Sequence, residues 1–369
     1  MIPTEINLCR MLNQKLLDSD FKKPERVVKW FVAMQAQELP MVKWAIALRV
    51  PGITEVDVDN AFNSGKILRT HIMRPTWHFV LPDDIRWMIE LTAPRIHAIN
   101  ASSYRKFELD TKVLIRTSDI IAKTLEGGNH LERAELQKAL AGKKIKVEGI
   151  RLAYVMMRAE LDAIICSGPR RGNQFTYALL SERAPKARRL SRDEALAELV
   201  LRFFTSRAPA TVQDFVYWSG LTIKDAKRGV EINDGKLVQK STNNHHFIFG
   251  KNSIKRVGSD KKSPSAFLLP DYDEYGMSYK DRTAMSVQIP SGKTLKPVNG
   301  VKTFNHLLLA DGAVIGLWQR QVKENLILLR TGTISKLTAA QRKLIDHSVK
   351  EYGRFFNRNL KHGVMGVGL

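Results

Sequence analysis

Cysteine is scarce: Cys9 and Cys166 are the only two in 369 residues and have no CxxC spacing. A disulfide framework and a thiolate zinc site are therefore not indicated, and both residues read as buried thiols. Long apolar runs are missing as well. The most hydrophobic stretch, His306 to Trp318, is broken by Asp311 and is shorter than the roughly 20 apolar residues of a membrane span. Glu5 stands where a secretory leader would carry cationic and then apolar residues, so the expectation is a soluble cytoplasmic protein. HExxH, G-x-S-x-G and GxxxxGK[ST] do not occur, and the nine histidines are scattered apart from His245-His246. On a strand those two would point to opposite faces. The acidic stretch Asp271 to Glu274 lacks calcium-loop spacing and reads as a solvated turn. No metal and no cofactor is expected.

Carboxylates are also in deficit: 37 Asp and Glu face 59 Lys and Arg, a formal charge of +22. Such a charge favours steered association with a polyanion and counterion release from nucleic acid. It gathers in three clusters: Lys143, Lys144 and Lys146; Arg183, Lys186, Arg188, Arg189 and Arg192; and Lys251, Lys255, Arg256, Lys261 and Lys262.

With 44% hydrophobic residues the chain is globular, and its length suggests several packed units. Apolar positions recur at helical spacing from Glu5 to about Asp18 and after Pro24, where Val27, Val28, Trp30, Phe31 and Met34 form a face. The polar Gln35-Ala-Gln-Glu38 falls at that helix's end. Short helices follow at Met41 to Leu48 and Val56 to Phe62. Residues 66 to 80 are rich in β-branched and aromatic side chains and predict a hairpin, and Asp83 is a plausible N-cap for a helix to about Thr92. Residues 112 to 180 and 191 to 249 each read as three helices and then strands. Beyond Ser263, SAFLLP, MSVQI, HLLLADGAVIGLW and LILLR are strand-like, with Asp311-Gly312 a hairpin turn. A helix runs from Thr338 to about Phe356, and the glycine-rich tail reads as loosely held. The expectation is an α+β protein of three tandem winged-helix units (1–110, 111–187, 188–262) and a β-rich, barrel-like C-terminal domain (263–369).

Trp30-Phe-Val-Ala-Met-Gln-Ala-Gln37 and Arg69-Thr-His-Ile-Met-Arg-Pro-Thr-Trp-His78 resemble segments of the AlkZ/YcaQ winged-helix superfamily of bacterial DNA glycosylases. Phe175 to Leu180, Ala210 to Gly220, Leu268 to Tyr275 and Asp311 to Trp318 extend the likeness over almost the whole chain. The resemblance implies that Gln35 and Gln37 are catalytic, in the double-glutamine version associated with AlkZ-like enzymes. It also implies that the hairpin carrying Arg69, His71, Arg74 and His78 faces DNA. Arg188 and Arg189 are added as phosphate contacts on charge alone. The reaction implied is hydrolysis of the N-glycosidic bond of an alkylated purine in double-stranded DNA, by a monomer without a membrane or obligate protein partner. A non-catalytic winged-helix DNA-binding regulator is the alternative.

An amide pair suits that chemistry. An N7-alkylated purine is already cationic and leaves well, so cleavage needs no strong protein acid. Two carboxamides can orient water while their carbonyl dipoles stabilise positive charge developing on the sugar. Glu38 is the competing catalytic candidate. Trp77 and Trp87 are candidates to stack on a flipped base, with core packing the alternative for each.

Overall fold

The computed structural model describes residues 1–242, 245–253, 264–285, 296–297 and 306–368. Its first stretch runs α1 (Pro3–Asn13), α2 (Pro24–Phe31), β1 (Ala33–Gln35), α3 (Leu39–Ala47), α4 (Glu55–Asn63), β2 (Leu68–Ile72), β3 (Thr76–Val80) and α5 (Pro82–Lys106). Pro24 occupies the first turn of α2, where its missing N–H costs nothing. Val32 then adopts a left-handed backbone, φ 62°, which stops the helix and turns the chain into β1. Gln35 therefore lies in a strand rather than at a helix end, because β1 joins the expected hairpin as a third strand. The order is β1-β3-β2, with Ala33 opposite Val80 and Gln35 opposite His78.

Helix α5 departs from the sequence reading at both ends. Its N-cap is Leu81, with Asp83 and Asp84 in the first turn. It also passes Pro94 and continues to Lys106, because Ile96, Asn100 and Tyr104 beyond the proline are buried. Tertiary burial outweighs the one backbone hydrogen bond that proline removes.

The next stretch is α6 (Thr111–Leu125), β4 (Leu131–Glu132), α7 (Arg133–Gly142), α8 (Gly149–Leu161), β5 (Ile165–Ser167), β6 (Thr176–Leu179) and α9 (Leu180–Arg183), with sheet order β4-β6-β5. A related order follows in α10 (Arg192–Ser206), α11 (Val212–Ser219), α12 (Ile223–Ile232), β7 (Leu237–Ser241) and β8 (His246–Gly250). An isolated bridge from Ala210 to Ile248 stands where β4 stood.

The C-terminal elements are β9 (Ala266–Leu269), α13 (Glu274–Met277), β10 (Lys296–Pro297), β11 (His306–Ala310), β12 (Ala313–Lys323), β13 (Leu326–Thr333), α14 (Ala339–Phe355), β14 (Asn359–Val364) and β15 (Val367–Gly368). The expected barrel is not formed among the described residues. Five strands lie in the open order β14-β13-β12-β11-β9. They bury a face by layering: Ile345, Val349 and Tyr352 of α14 share a core with Leu268, Leu308 and Trp318. The tail is not loose either, since β14 pairs in parallel with β13. Asp311 and Gly312, both at positive φ, make the predicted turn between β11 and β12. The MSVQI segment beyond Met285 and the basic residues Lys255, Arg256, Lys261 and Lys262 lie outside the described residues. Among the described residues no helix is long and apolar enough to cross a membrane.

Among the described residues three large cores stand out. Leu68, Val80 and Trp87 pack with Phe203, Phe215 and Trp218. Phe31, Trp44 and Ile46 pack with the C-terminal sheet and α14. A third core, including Leu114, Leu136, Leu152 and Val155, is made entirely from residues between 104 and 179. The strand carrying Gln35 thus sits where the first two cores meet.

Candidate active site

Four polar contacts fix the Gln35-Ala36-Gln37 segment. The Ala36 N–H donates to the Trp77 carbonyl at 2.7 Å, and the Ala36 carbonyl accepts from Arg69 Nε at 3.0 Å. The Gln35 N–H donates to Glu274 Oε1 at 3.3 Å, and the Gln35 amide oxygen accepts from Arg74 Nη2 at 3.4 Å. In that last contact the amide oxygen faces Arg74, since a guanidinium can only donate. Gln35 is buried, 8% exposed, whereas Gln37 is exposed and lines an open cleft of about 770 Å³.

One wall of the cleft comes from the hairpin and Phe175, the other from α7, α8 and β6, including Arg133, Leu152 and Tyr177. The Arg69 guanidinium is held between two rings, 4.1 Å from the Trp77 centroid and 4.4 Å from Phe175. Burial pulls its pKa down to about 10, with the Glu160 carboxylate opposing the fall. Arg69 therefore remains a cation at neutral pH. His71 is buried, pairs through Nδ1 with the Glu160 carboxylate and lies 4.5 Å from Trp77, ring to ring.

His78, opposite Gln35, has its Nδ1 2.9 Å from the Thr76 carbonyl. Burial pushes its pKa down to about 3; the Thr76 contact opposes the fall and the Arg74 charge adds to it. The imidazole is neutral at working pH, with Nδ1 carrying the proton that Thr76 accepts. An unfolded His takes a proton near pH 6.5, and the folded one does so only near 3. His78 thus contributes stability that is fully present above pH 6.5 and is lost as pH falls towards 3. In urea titrations at pH 7 and pH 4, His78→Gln is expected to lose less stability over that interval than the natural protein; equal losses would contradict the neutral assignment.

The other candidates are dispersed. Trp77 lines the cleft, whereas Trp87 is fully buried in the first core and donates Nε1 to Asp84. Glu38 is the N-cap of α3. Arg188 lies at the start of α5, its Nη2 2.5 Å from Asp84, and Arg189 is exposed beside it. Arg69, Arg74 and His78 are brought to the glutamine segment; Arg188 and Arg189 contact neither it nor the cleft.

Sequence reasoning missed the groups behind the strand. Asp273 and Glu274 are no solvated turn: both are buried. Asp273 pairs with Arg49 at 2.7 and 2.9 Å, and Glu274 pairs with Arg207 at 2.5 Å. The available clue was their setting, an acidic pair between the apolar Leu268-Leu-Pro and Tyr275. Arg207 and Glu160 gave no comparable clue.

A family model described as DNA glycosylase AlkZ-like matches residues 28–355. The chain is 22% identical over 327 residues to the interstrand DNA cross-link repair glycosylase of Streptomyces sahachiroi, covering 84% of this chain and 85% of that one. In three dimensions it is similar to the solved structure of the Streptomyces sahachiroi DNA glycosylase AlkZ. The TM-score is 0.78 and the identity 17%, over 98% of this chain and 99% of that chain, a likeness of fold.

Proposed function

The chain belongs to the AlkZ-like DNA glycosylase family, and from that premise we propose that it excises N7-alkylated purines from double-stranded DNA, with Gln35 and Gln37 positioning the attacking water. The observation that carries this reading is the setting of the motif: Gln37 is exposed on a cleft walled by Trp77, Phe175 and Tyr177, with Gln35 clamped two positions away. A base rotated out of the duplex would meet aromatic faces there. The glutamines would stand beside the sugar, where oxocarbenium character develops, and their carbonyl dipoles would stabilise it.

The cleft's openness leaves room for an adduct larger than methyl, and the relative named for cross-link repair makes a bulky or bridging lesion a natural substrate to include. The recurring order helix, strand or bridge, two helices, hairpin supports reading 111–187 and 188–262 as winged-helix units. We read 1–110 as a third unit and 263–369 as a separate C-terminal domain. The +22 charge suits a monomer acting on duplex DNA in the cytoplasm, with Lys143, Lys144, Lys146 and Arg189, all exposed, available to phosphates.

Duplexes carrying N7-methylguanine or an N7-linked interstrand cross-link, incubated with excess protein, test this reading by mass spectrometry of the released bases. The expected products are free base and an abasic site, without strand scission. Borohydride should trap no covalent complex, because no lysine occurs in residues 67–80 or among the described residues lining the cleft. A lesion-dependent trapped adduct would establish an amine nucleophile instead. Tight binding without release from either duplex would favour a non-catalytic binder.

A further inference from the structure

Strand β1 is an edge strand: in the order β1-β3-β2 it has a neighbour on one side only. Its outer edge presents the Ala33 carbonyl and the Gln35 N–H, two positions apart and so on the same side. Edges left bare in the interior are costly, because buried backbone groups need partners. Two side chains from distant segments fill the place of the absent strand. Arg207 Nη2 donates to the Ala33 carbonyl at 3.2 Å and Nη1 to the Phe31 carbonyl at 3.1 Å. Glu274 Oε1 accepts the Gln35 N–H at 3.3 Å. The two are joined to one another, Glu274 Oε2 taking Arg207 Nε at 3.1 Å and Nη2 at 2.5 Å. Trp218 Nε1 at 3.0 Å and Ser278 Oγ at 3.2 Å complete the carboxylate's partners.

We infer that the buried Glu274–Arg207 pair is the positioning group for Gln35, setting the height and tilt of β1 so that the Gln35 amide meets the reacting centre. A neutral strand would satisfy the same edge without burying charge, and buried ion pairs contribute little net stability against apolar replacements. A rigid, fully bonded charge pair offers placement instead. Displacing a catalytic group by about 1 Å can cost about a hundredfold in rate, and such groups work when their supports are themselves locked. Glu274 does not line the cleft; it acts through Gln35, and the inference rests on the catalytic reading of that residue.

A double-mutant cycle tests it. Glu274→Asp keeps a charge for Arg207 but shortens the reach to the Gln35 N–H. Single-turnover release of N7-methylguanine is measured at saturating protein for the natural chain, Glu274→Asp, Gln35→Ala and the double variant, with duplex affinity by anisotropy alongside. Glu274→Asp is expected to slow release about ten- to a hundredfold with affinity unchanged, and to slow the Gln35→Ala protein no further. A structural role would instead give the same factor in both backgrounds, and that result, or an unchanged rate in Glu274→Asp, overturns the inference. If Gln35→Ala releases base at the natural rate, the catalytic reading itself falls and this inference with it. Should Glu274→Asp fail to fold, Trp218→Phe removes one donor to Oε2 while keeping an aromatic side chain. It is expected to slow release about two- to tenfold, again only when Gln35 is present.

Discussion

Replacing Gln35 or Gln37 with alanine is expected to lower single-turnover base release about ten- to a thousandfold, the range for losing one preorganised polar contact to a developing charge. Duplex affinity should barely change. Gln35 is buried and bonded to Arg74, and Gln37 carries no charge, so neither amide supplies the ionic phosphate contacts that dominate duplex affinity. Glu38→Gln should remain active, because Glu38 stands at the N-cap position of α3 without a side-chain capping bond and does not line the cleft. The natural rate should also be flat between about pH 6 and 8: amides do not titrate, and the histidine opposite Gln35 is held neutral with a pKa of about 3. If Glu38→Gln abolishes release while both alanine variants work normally, the carboxylate positions the water. If all three keep full activity on a substrate the natural protein cleaves, the site lies elsewhere.

Removing the Asp273 carboxylate is expected to produce a large loss of stability. Arg49 is completely buried, and its guanidinium meets Asp273 twice, the Ala45 carbonyl, and the backbone and side-chain oxygens of Gln14. Asp273→Ala leaves that cation without its counter-charge, which costs about 3–5 kcal/mol for a broken buried pair. Urea unfolding followed by tryptophan fluorescence measures it. Arg49→Met combined with Asp273→Ala should be more stable than Asp273→Ala alone, since taking out both charges removes the desolvation penalty along with the attraction. A double variant weaker than the single one would mean that the hydrogen bonds of Arg49 matter more than its charge. Breaking the solvent-exposed Arg228–Asp193 pair should leave the urea midpoint unchanged, as water screens it.

The elements that carry their own periodicity were legible: the hairpin of β2 and β3, the helices α10 to α12, and the Asp311-Gly312 turn all follow from spacing and turn chemistry. Gln35 and Gln37 stood out through the likeness of their neighbours, not through any property of two glutamines. What escaped was decided far along the chain. Asp271 to Glu274 has the composition of a solvated turn, and the distant cations Arg49 and Arg207 make burial of its last two carboxylates tolerable. Proline at 94 argued for a helix end, and packing beyond it overruled the local preference. The glycine-rich tail had no strand periodicity to show, yet β13 offered it a free edge to pair with.

The Gln35 N–H and its acceptor on Glu274 are 239 positions apart, which gives the candidate site a calendar. A ribosome adding about 5–20 residues per second reaches Glu274 roughly 10–50 s after Gln35. During that interval the hairpin can form from local contacts, whereas the outer edge of β1 waits for groups that do not yet exist. Contacts of such long sequence separation also form slowly once the chain is complete. Closure of that outer edge thus follows the contacts that Arg69, Arg74 and Trp77 already give the segment, so a nascent chain, already rich in cations that adhere to nucleic acid, would meet DNA or RNA while the outer edge of β1 is still open.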